Sequence, residues 1–189
     1  MAITEVMSNT DRQYDAAIKA CKDIFIRKTQ DYGTSWRVLR TISIVDQIFI
    51  KAQRIRTIQQ KGVNRVGEDV SGEFKGIVNY GVIGLIQLEL KEIAVEDLSA
   101  EKVSALYDEK ISEVKEVMQD KNHDYGEAWR EMSQESFVDL ILMKLMRIRQ
   151  ILLNEGKTLI SEGIDSNYVD IINYAVFAEI LIEEGKHKG

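Results

Sequence analysis

The sequence predicts an all-α protein: a six-helix bundle with pseudo-twofold symmetry, built from two tandem three-helix repeats. Two observations lead to this prediction. The segment KTQDYGTSWR, residues 28–37, returns as KNHDYGEAWR, residues 121–130, at a shift of 93 positions. The chain also contains no proline and no long alternating run of β-branched residues, so its periodic apolar segments favour helices over strands.

The repeat extends well beyond these two decamers. The copies span residues 11–91 and 101–184, and one residue inserted in the second copy changes the shift to 94 for the last helix. Two copies are too few for a solenoid, which usually needs three or more. They fit a pseudo-symmetric pair, the covalent equivalent of a twofold dimer, and we expect one compact unit.

The first helix of each copy is bounded by capping signals. One begins near Thr10, where Thr-Asp-Arg-Gln resembles a capping box, and its counterpart begins after Ser99. Both are expected to end at Asp-Tyr-Gly, because glycine permits the positive φ of a helix stop.

The second helices are predicted to start at Ser43 and Ser136 and to end at glycines, and the third helices to span 69–91 and 165–184. Asp46 and Asp139 each follow one of those serines by three residues. The Ser-x-x-Asp spacing therefore predicts that both aspartates act as helix caps.

Composition narrows the class of protein. A net charge of −6 and a pI near 5.1 disfavour a nucleic-acid-coating protein, although a local basic pocket stays open. No apolar run is long enough for a membrane span, and the single Cys21 cannot form an internal disulfide. We therefore expect a cytoplasmic protein without a membrane partner; whether it forms an oligomer is left open.

Charged residues lie inside the apolar faces of the predicted helices. Lys51 falls in the middle of the apolar stripe of the second helix, and Lys144 repeats it in the second copy. A buried charge costs several kcal/mol unless it finds a partner or a ligand. The expected solution is one internal pocket in the second copy, formed by Lys144, Arg147, Asp170, Asn173 and Asp124.

Simpler interpretations exist for several of these residues. Lys51 and Lys144 can extend their ammonium groups to solvent over apolar neighbours. Asp124 precedes Tyr-Gly, where a turn-forming aspartate is as well explained as a ligand-binding one. Trp129 and Tyr125 can fill the gap between the copies or provide a surface on which a base stacks.

The motifs also resemble a known family. Three motifs follow one another: Lys-x-x-Asp-Tyr-Gly, Asp-x-x-x-x-Lys-x-x-Arg and Asp-x-x-Asn-Tyr. This series is similar to the nucleotide modification associated domain 1 family, an all-helical domain of unknown function. The first copy departs at Gly76, where the second has Asp170, and Glu73 lies one turn earlier without aligning. The second copy carries every motif residue: Lys121, Asp124, Tyr125, Gly126, Asp139, Lys144, Arg147, Asp170, Asn173 and Tyr174.

The resemblance implies a nucleotide ligand, and the helical layout is similar to that of all-α nucleoside triphosphate pyrophosphatases. By that similarity, Asp124 and Asp170 would be catalytic and bind Mg²⁺, while Lys144 and Arg147 would neutralise phosphate. The Glu-Glu-x-x-Glu signature of those enzymes is missing, so whether the protein is an enzyme is left open. The alternatives are a non-catalytic nucleotide- or phosphate-binding or regulatory module, and a structural protein with internal Lys–Asp pairs. The other expected substrate-binding residues are Asn173, Tyr125, Trp129, Lys51, Arg54 and Asn79.

Overall fold

Six α-helices account for most of the residues that the structure describes. The computed structural model describes residues 8–62, 69–95, 97–159 and 161–189, and residue 96 of the linker lies outside these ranges. No strand occurs within them, so the predicted all-α class is confirmed, and no helix there is both long and apolar enough to cross a membrane. The helices are α1 Asn9–Tyr32, α2 Thr41–Lys61, α3 Val70–Leu90, α4 Ala100–Tyr125, α5 Gln134–Leu153 and α6 Ile164–Glu183.

Serine side chains cap α1 and α4. Ser8 Oγ accepts the backbone N–H of Asp11 at 3.1 Å, and Ser99 caps α4 in the same way, as predicted. The predicted capping role of Thr10 is wrong, because its hydroxyl donates to Glu127 of the second copy. Both helices end at the glycine of Asp-Tyr-Gly in a positive-φ conformation, as the repeated motif predicts.

The second helices begin two residues earlier than predicted. α5 is capped by Ser133, whose Oγ accepts the backbone N–H of Ser136 at 3.1 Å, so Ser136 lies in the first turn. The counterpart in the first copy, Arg40, provides no side-chain cap, and Ser43 likewise lies inside α2.

The aspartates of the predicted capping boxes instead join the two copies. Asp46 accepts a hydrogen bond from Arg149 at 2.7 Å, and Asp139 accepts one from Arg56 at 2.6 Å. The capping prediction for Asp46 and Asp139 is therefore wrong. These ion pairs are related by the repeat shift, so α2 and α5 meet in a pseudo-twofold arrangement.

The third helices, α3 and α6, cross at the centre of the bundle. Both are apolar on nearly all sides, as expected for helices that are buried all round. A Cβ atom built on Gly81 would lie 2.6 Å from Cγ1 of Ile172, and one on Gly84 would lie 2.6 Å from Cζ of Tyr168. The two glycines therefore permit a close approach of α6 to α3.

Buried hydrogen bonds tie each first helix to the last helix of the other copy. Tyr14 of α1 donates to Oδ1 of Asn173 at 2.7 Å, and Tyr107 of α4 donates to Oδ1 of Asn79 at 2.7 Å. Both tyrosines are fully buried. The copies therefore share one interior rather than lying side by side.

Candidate functional site

A buried carboxylate organises the interior of the second copy. Asp170 on α6 is 7% exposed, with Oδ2 2.7 Å from Nζ of Lys144 and Oδ1 2.7 Å from Nζ of Lys121. The expected meeting of Lys144 and Asp170 away from solvent is therefore observed. Burial alone would lower the pKa of Lys121, but the hydrogen bond to Asp170 and its charge outweigh that effect and raise the pKa.

Three other residues of the predicted pocket take no part in the ion pairs of Asp170. The amide of Asn173 is used by Tyr14 and by a backbone carbonyl of α4. Arg147 is exposed, and Asp124 is on the surface, with its carboxylate 3.1 Å from Nδ1 of His123. Across the described ranges, no hydrogen bond or ion pair joins Asp124, Arg147 or Asn173 to Asp170.

The two aromatic residues predicted to cover a base have very different surroundings. The ring of Trp129 is buried and stacked on Phe177, with centroids 4.2 Å apart and planes at 5°. The guanidinium carbon of Arg130 also lies 4.4 Å from that ring. Tyr125 is 75% exposed. In the second copy, Phe177 therefore already occupies the stacking position on Trp129.

The donor set around Asp170 does not fit a resident magnesium ion. Mg²⁺ prefers near-octahedral oxygen ligands, including one or two carboxylates. Each Asp170 oxygen instead faces a lysine ammonium, and Asp124 points to solvent beside His123. The described residues contain no group of three or more His, Cys, Asp or Glu side chains that could hold a metal ion.

In the first copy, Glu73 provides the buried carboxylate. Gly76 stands where α6 has Asp170, and Glu73, one turn earlier on α3, is 4% exposed. Its Oε1 accepts from Arg54 at 2.6 Å, while its Oε2 lies 3.6 Å from Nζ of Lys51. Arg54 is thus tightly paired, whereas Lys51 is held at a distance too long for a strong hydrogen bond.

A cavity of about 590 Å³ opens beside Gly76 between α1, α2 and α3. Lys28, the counterpart of Lys121, reaches it from α1 and makes no ion pair or hydrogen bond with any described residue. The indole Nε1 of Trp36 is buried and has no hydrogen-bond partner there either. The other lining residues include Tyr32, Gln47, Lys51, Glu73, Asn79, Tyr80 and Ile83.

The predicted residue Asn79 lines this cavity but is not free to turn. Its Oδ1 accepts from Tyr107, and its Nδ2 donates to the backbone carbonyl of Cys21 at 3.0 Å. Asn79 is therefore a fixed wall of the cavity, like Asn173 in the second copy.

A second cavity, of about 910 Å³, lies beside the C-terminal part of α5 and the loop that follows it. Lys144, Arg147 and Asn167 line it, but Asp170, Asn173 and Tyr125 do not. Asp170, the expected centre of the predicted pocket, therefore does not line this cavity. Its carboxylate is in direct contact with the two lysine ammonium groups.

Lys28 and Gln47 are site residues that the sequence did not single out. Lys28 could have been recognised from the repeat, because a lysine is the first residue of both decamers, Lys28 in one and Lys121 in the other. Gln47 has Leu140 as its counterpart, and repetition gave no reason to choose it.

Fold and site together define a class: an all-helical duplicated protein with a carboxylate–cation cluster in each half and an open cationic, aromatic cavity in one. The family model described as nucleotide modification associated domain 1 matches residues 28–88 and 121–182, one match in each copy. The chain belongs to this family, and the tandem duplication is confirmed. Comparisons with curated proteins and with solved structures gave no match.

Proposed function

We propose that the protein is a nucleotide-binding module and that its ligand site is the cavity of the first copy. Lys28 and Lys51 bind the phosphate groups, and the aromatic wall of Trp36 and Tyr80 contacts the base. The observation that carries this proposal is a cavity whose cation, Lys28, has no partner in the described chain.

Size and chemistry both support a nucleotide. Small-molecule sites usually measure about 300–1,000 Å³ and combine apolar walls with a few polar groups, and this cavity measures about 590 Å³. Lysine binds phosphate as a compact point charge, and Lys51 is held only at 3.6 Å by Glu73, so it can turn towards a ligand. Aromatic rings bind bases by stacking.

The Mg²⁺-dependent pyrophosphohydrolase activity and a regulatory role stay predictions. The carboxylates offer no magnesium cluster around Asp170, so the geometry supports binding better than hydrolysis. An assay for pyrophosphate release, run with and without Mg²⁺, tests this directly. Magnesium-dependent turnover that Asp170→Ala abolishes would make the protein an enzyme.

Binding is tested by calorimetric titration with nucleoside mono-, di- and triphosphates. We expect Lys28→Ala to weaken the tightest of them at least tenfold, because it removes a phosphate-binding cation. Lys19→Ala is the matched control: Lys19 lies on the same helix, is exposed and pairs with Asp23. Equal losses in both variants, or no binding by the wild-type protein, would refute the proposal.

A further inference from the structure

The two copies differ at the positions where a ligand's two chemical parts would lie. Gly76 and Ile83 line the cavity of the first copy, and their counterparts at a shift of 94 are Asp170 and Phe177. Both replacements in the second copy are larger, and each contacts a residue whose counterpart lines the cavity.

The framework around these positions is the same in both copies. Asn79 and Asn173 follow Gly76 and Asp170 by one turn. The Oδ1 of each asparagine accepts a hydrogen bond from a tyrosine hydroxyl of the other copy at 2.7 Å. The Nδ2 of each donates a hydrogen bond to a backbone carbonyl in the first helix of its own copy. Residues 76 and 170 therefore occupy equivalent places, and only the side chain distinguishes them.

Asp170 places an anion where the first copy has a glycine covered by the end of the Lys51 side chain. Its two oxygens bind Lys121 and Lys144, each at 2.7 Å, as two oxygens of a phosphate group would. In the first copy no Cβ fills that place: a Cβ on Gly76 would lie 2.9 Å from Cε of Lys51. Lys28 and Lys51 are the counterparts of these two lysines, but no carboxylate joins them: Lys28 has no partner among the described residues, and Lys51 lies 3.6 Å from Glu73.

Phe177 places a flat ring where the first copy has Ile83. It stacks on Trp129 at 4.2 Å with planes at 5°, the arrangement expected of a base on an indole. The counterpart Trp36 lines the cavity, and the one ring that it contacts among the described residues is that of Phe25, tilted and with centroids 6.4 Å apart. Asp170 and Phe177 lie seven residues apart, about 10 Å along the helix axis.

We propose that, in the second copy, the equivalent of the first-copy cavity is closed by the protein's own side chains, Asp170 imitating a ligand's phosphate and Phe177 its base. The intact chain therefore binds one nucleotide, in the first copy, with a phosphate oxygen pair between Lys28 and Lys51 and the base on Trp36. This inference rests on the proposed function and adds to it the stoichiometry and the ligand's orientation.

The decisive variants exchange these residues between copies. Gly76→Asp adds the anion to the first copy, and Gly76→Asn adds the same volume without the charge. We expect Gly76→Asp to weaken the tightest-binding nucleotide and inorganic pyrophosphate at least tenfold more than Gly76→Asn does. Ile83→Phe should weaken the nucleotide at least tenfold while changing pyrophosphate affinity less than threefold, because it fills only the base position.

The reverse exchange, Asp170→Gly with Phe177→Ile, should raise the calorimetric stoichiometry from one nucleotide per chain to two. If this variant does not fold, the first-copy variants decide. The inference is overturned if the wild-type chain binds two nucleotides, if Gly76→Asp and Gly76→Asn behave alike, or if the folded double variant gains no second site. No binding at all by the wild-type chain would instead refute the proposed function.

Discussion

Glu179 is a buried carboxylate whose charge is incompletely balanced. It is 7% exposed on α6, where Oε2 accepts from Ser71 at 2.9 Å and lies 3.9 Å from Nζ of Lys75. Its Oε1 is buried and has no hydrogen-bond partner in the described chain. Burial raises the pKa of Glu179 to about 7, although the Ser71 hydrogen bond and Lys75 act in the opposite direction.

This raised pKa predicts a pH-dependent loss of stability. The carboxyl group has a pKa near 4.5 in the unfolded chain and about 7 in the folded one, so the folded state holds its proton longer. Its contribution is complete below pH 4.5 and is lost as the pH rises through 7. By linkage, the loss is about 3 kcal/mol.

Glu179→Gln removes this titration, so its stability relative to the wild type should increase between pH 4.5 and 8 by about that amount. Urea unfolding at a series of pH values measures the difference. Glu116→Gln, at an exposed position of α4, is the control and should track the wild type at every pH. A constant difference between Glu179→Gln and the wild type would contradict the assigned pKa.

The burial of Lys144 and Asp170 was predictable, but Arg147 and Asp124, expected in the same pocket, are exposed. The helical period alone placed Lys144 on an apolar face and Asp170 on another, and the two meet at 2.7 Å. In the first copy, alignment of the repeats identified the missing aspartate at Gly76. It could not establish that Glu73 would bind Arg54 more tightly than Lys51, because that depends on side-chain directions within the folded bundle.

At the scale of elements, the crossing of α3 and α6 depends on two glycines of α3. The counterparts of Gly81 and Gly84 in α6 are Ala175 and Ala178, so only α3 has glycines at these positions of the crossing. A methyl group at Gly84 would lie 2.6 Å from the ring of Tyr168, which is fully buried. The close approach is therefore a requirement of packing rather than of backbone conformation.

We expect Gly84→Ala to lower the free energy of unfolding by about 1–3 kcal/mol, the usual cost of overpacking a core. Gly76→Ala is the matched control on the same helix. Its added methyl group meets only the flexible end of Lys51, and alanine is the better helix former, so its stability should stay within about 1 kcal/mol of the wild type. Urea denaturation of both variants decides; equal stabilities would show that α6 can move away from α3.

The predicted helix ends were correct where a local capping signal determines them. Ser99 caps α4, and Asp-Tyr-Gly ends both first helices, because these signals act within one turn. The predicted starts at Ser43 and Ser136 were wrong by two residues: Ser133 caps α5, and Asp46 and Asp139 bind guanidinium groups of the other copy.

At the scale of the whole molecule, two kinds of contact relate the copies. The ion pairs of Asp46 with Arg149 and of Asp139 with Arg56 are largely exposed, so each contributes only about 0–1 kcal/mol. The hydrogen bonds from Tyr14 to Asn173 and from Tyr107 to Asn79 are buried, and losing one leaves an unsatisfied amide oxygen inside the protein. These buried bonds therefore couple the copies more strongly than the surface pairs do.

This coupling predicts that the copies unfold together. Tyr14→Phe should cost about 1–3 kcal/mol, because Oδ1 of Asn173 loses its donor in a site without water access. Each copy contains one tryptophan, Trp36 or Trp129, so Trp→Phe replacement at either position leaves a fluorescence reporter of the other copy. In both reporter backgrounds Tyr14→Phe should shift the urea midpoint by the same amount, although Tyr14 belongs to the first copy. A shift seen only by one reporter would mean that the copies are independent units, and the shared interior would then be a contact between two domains.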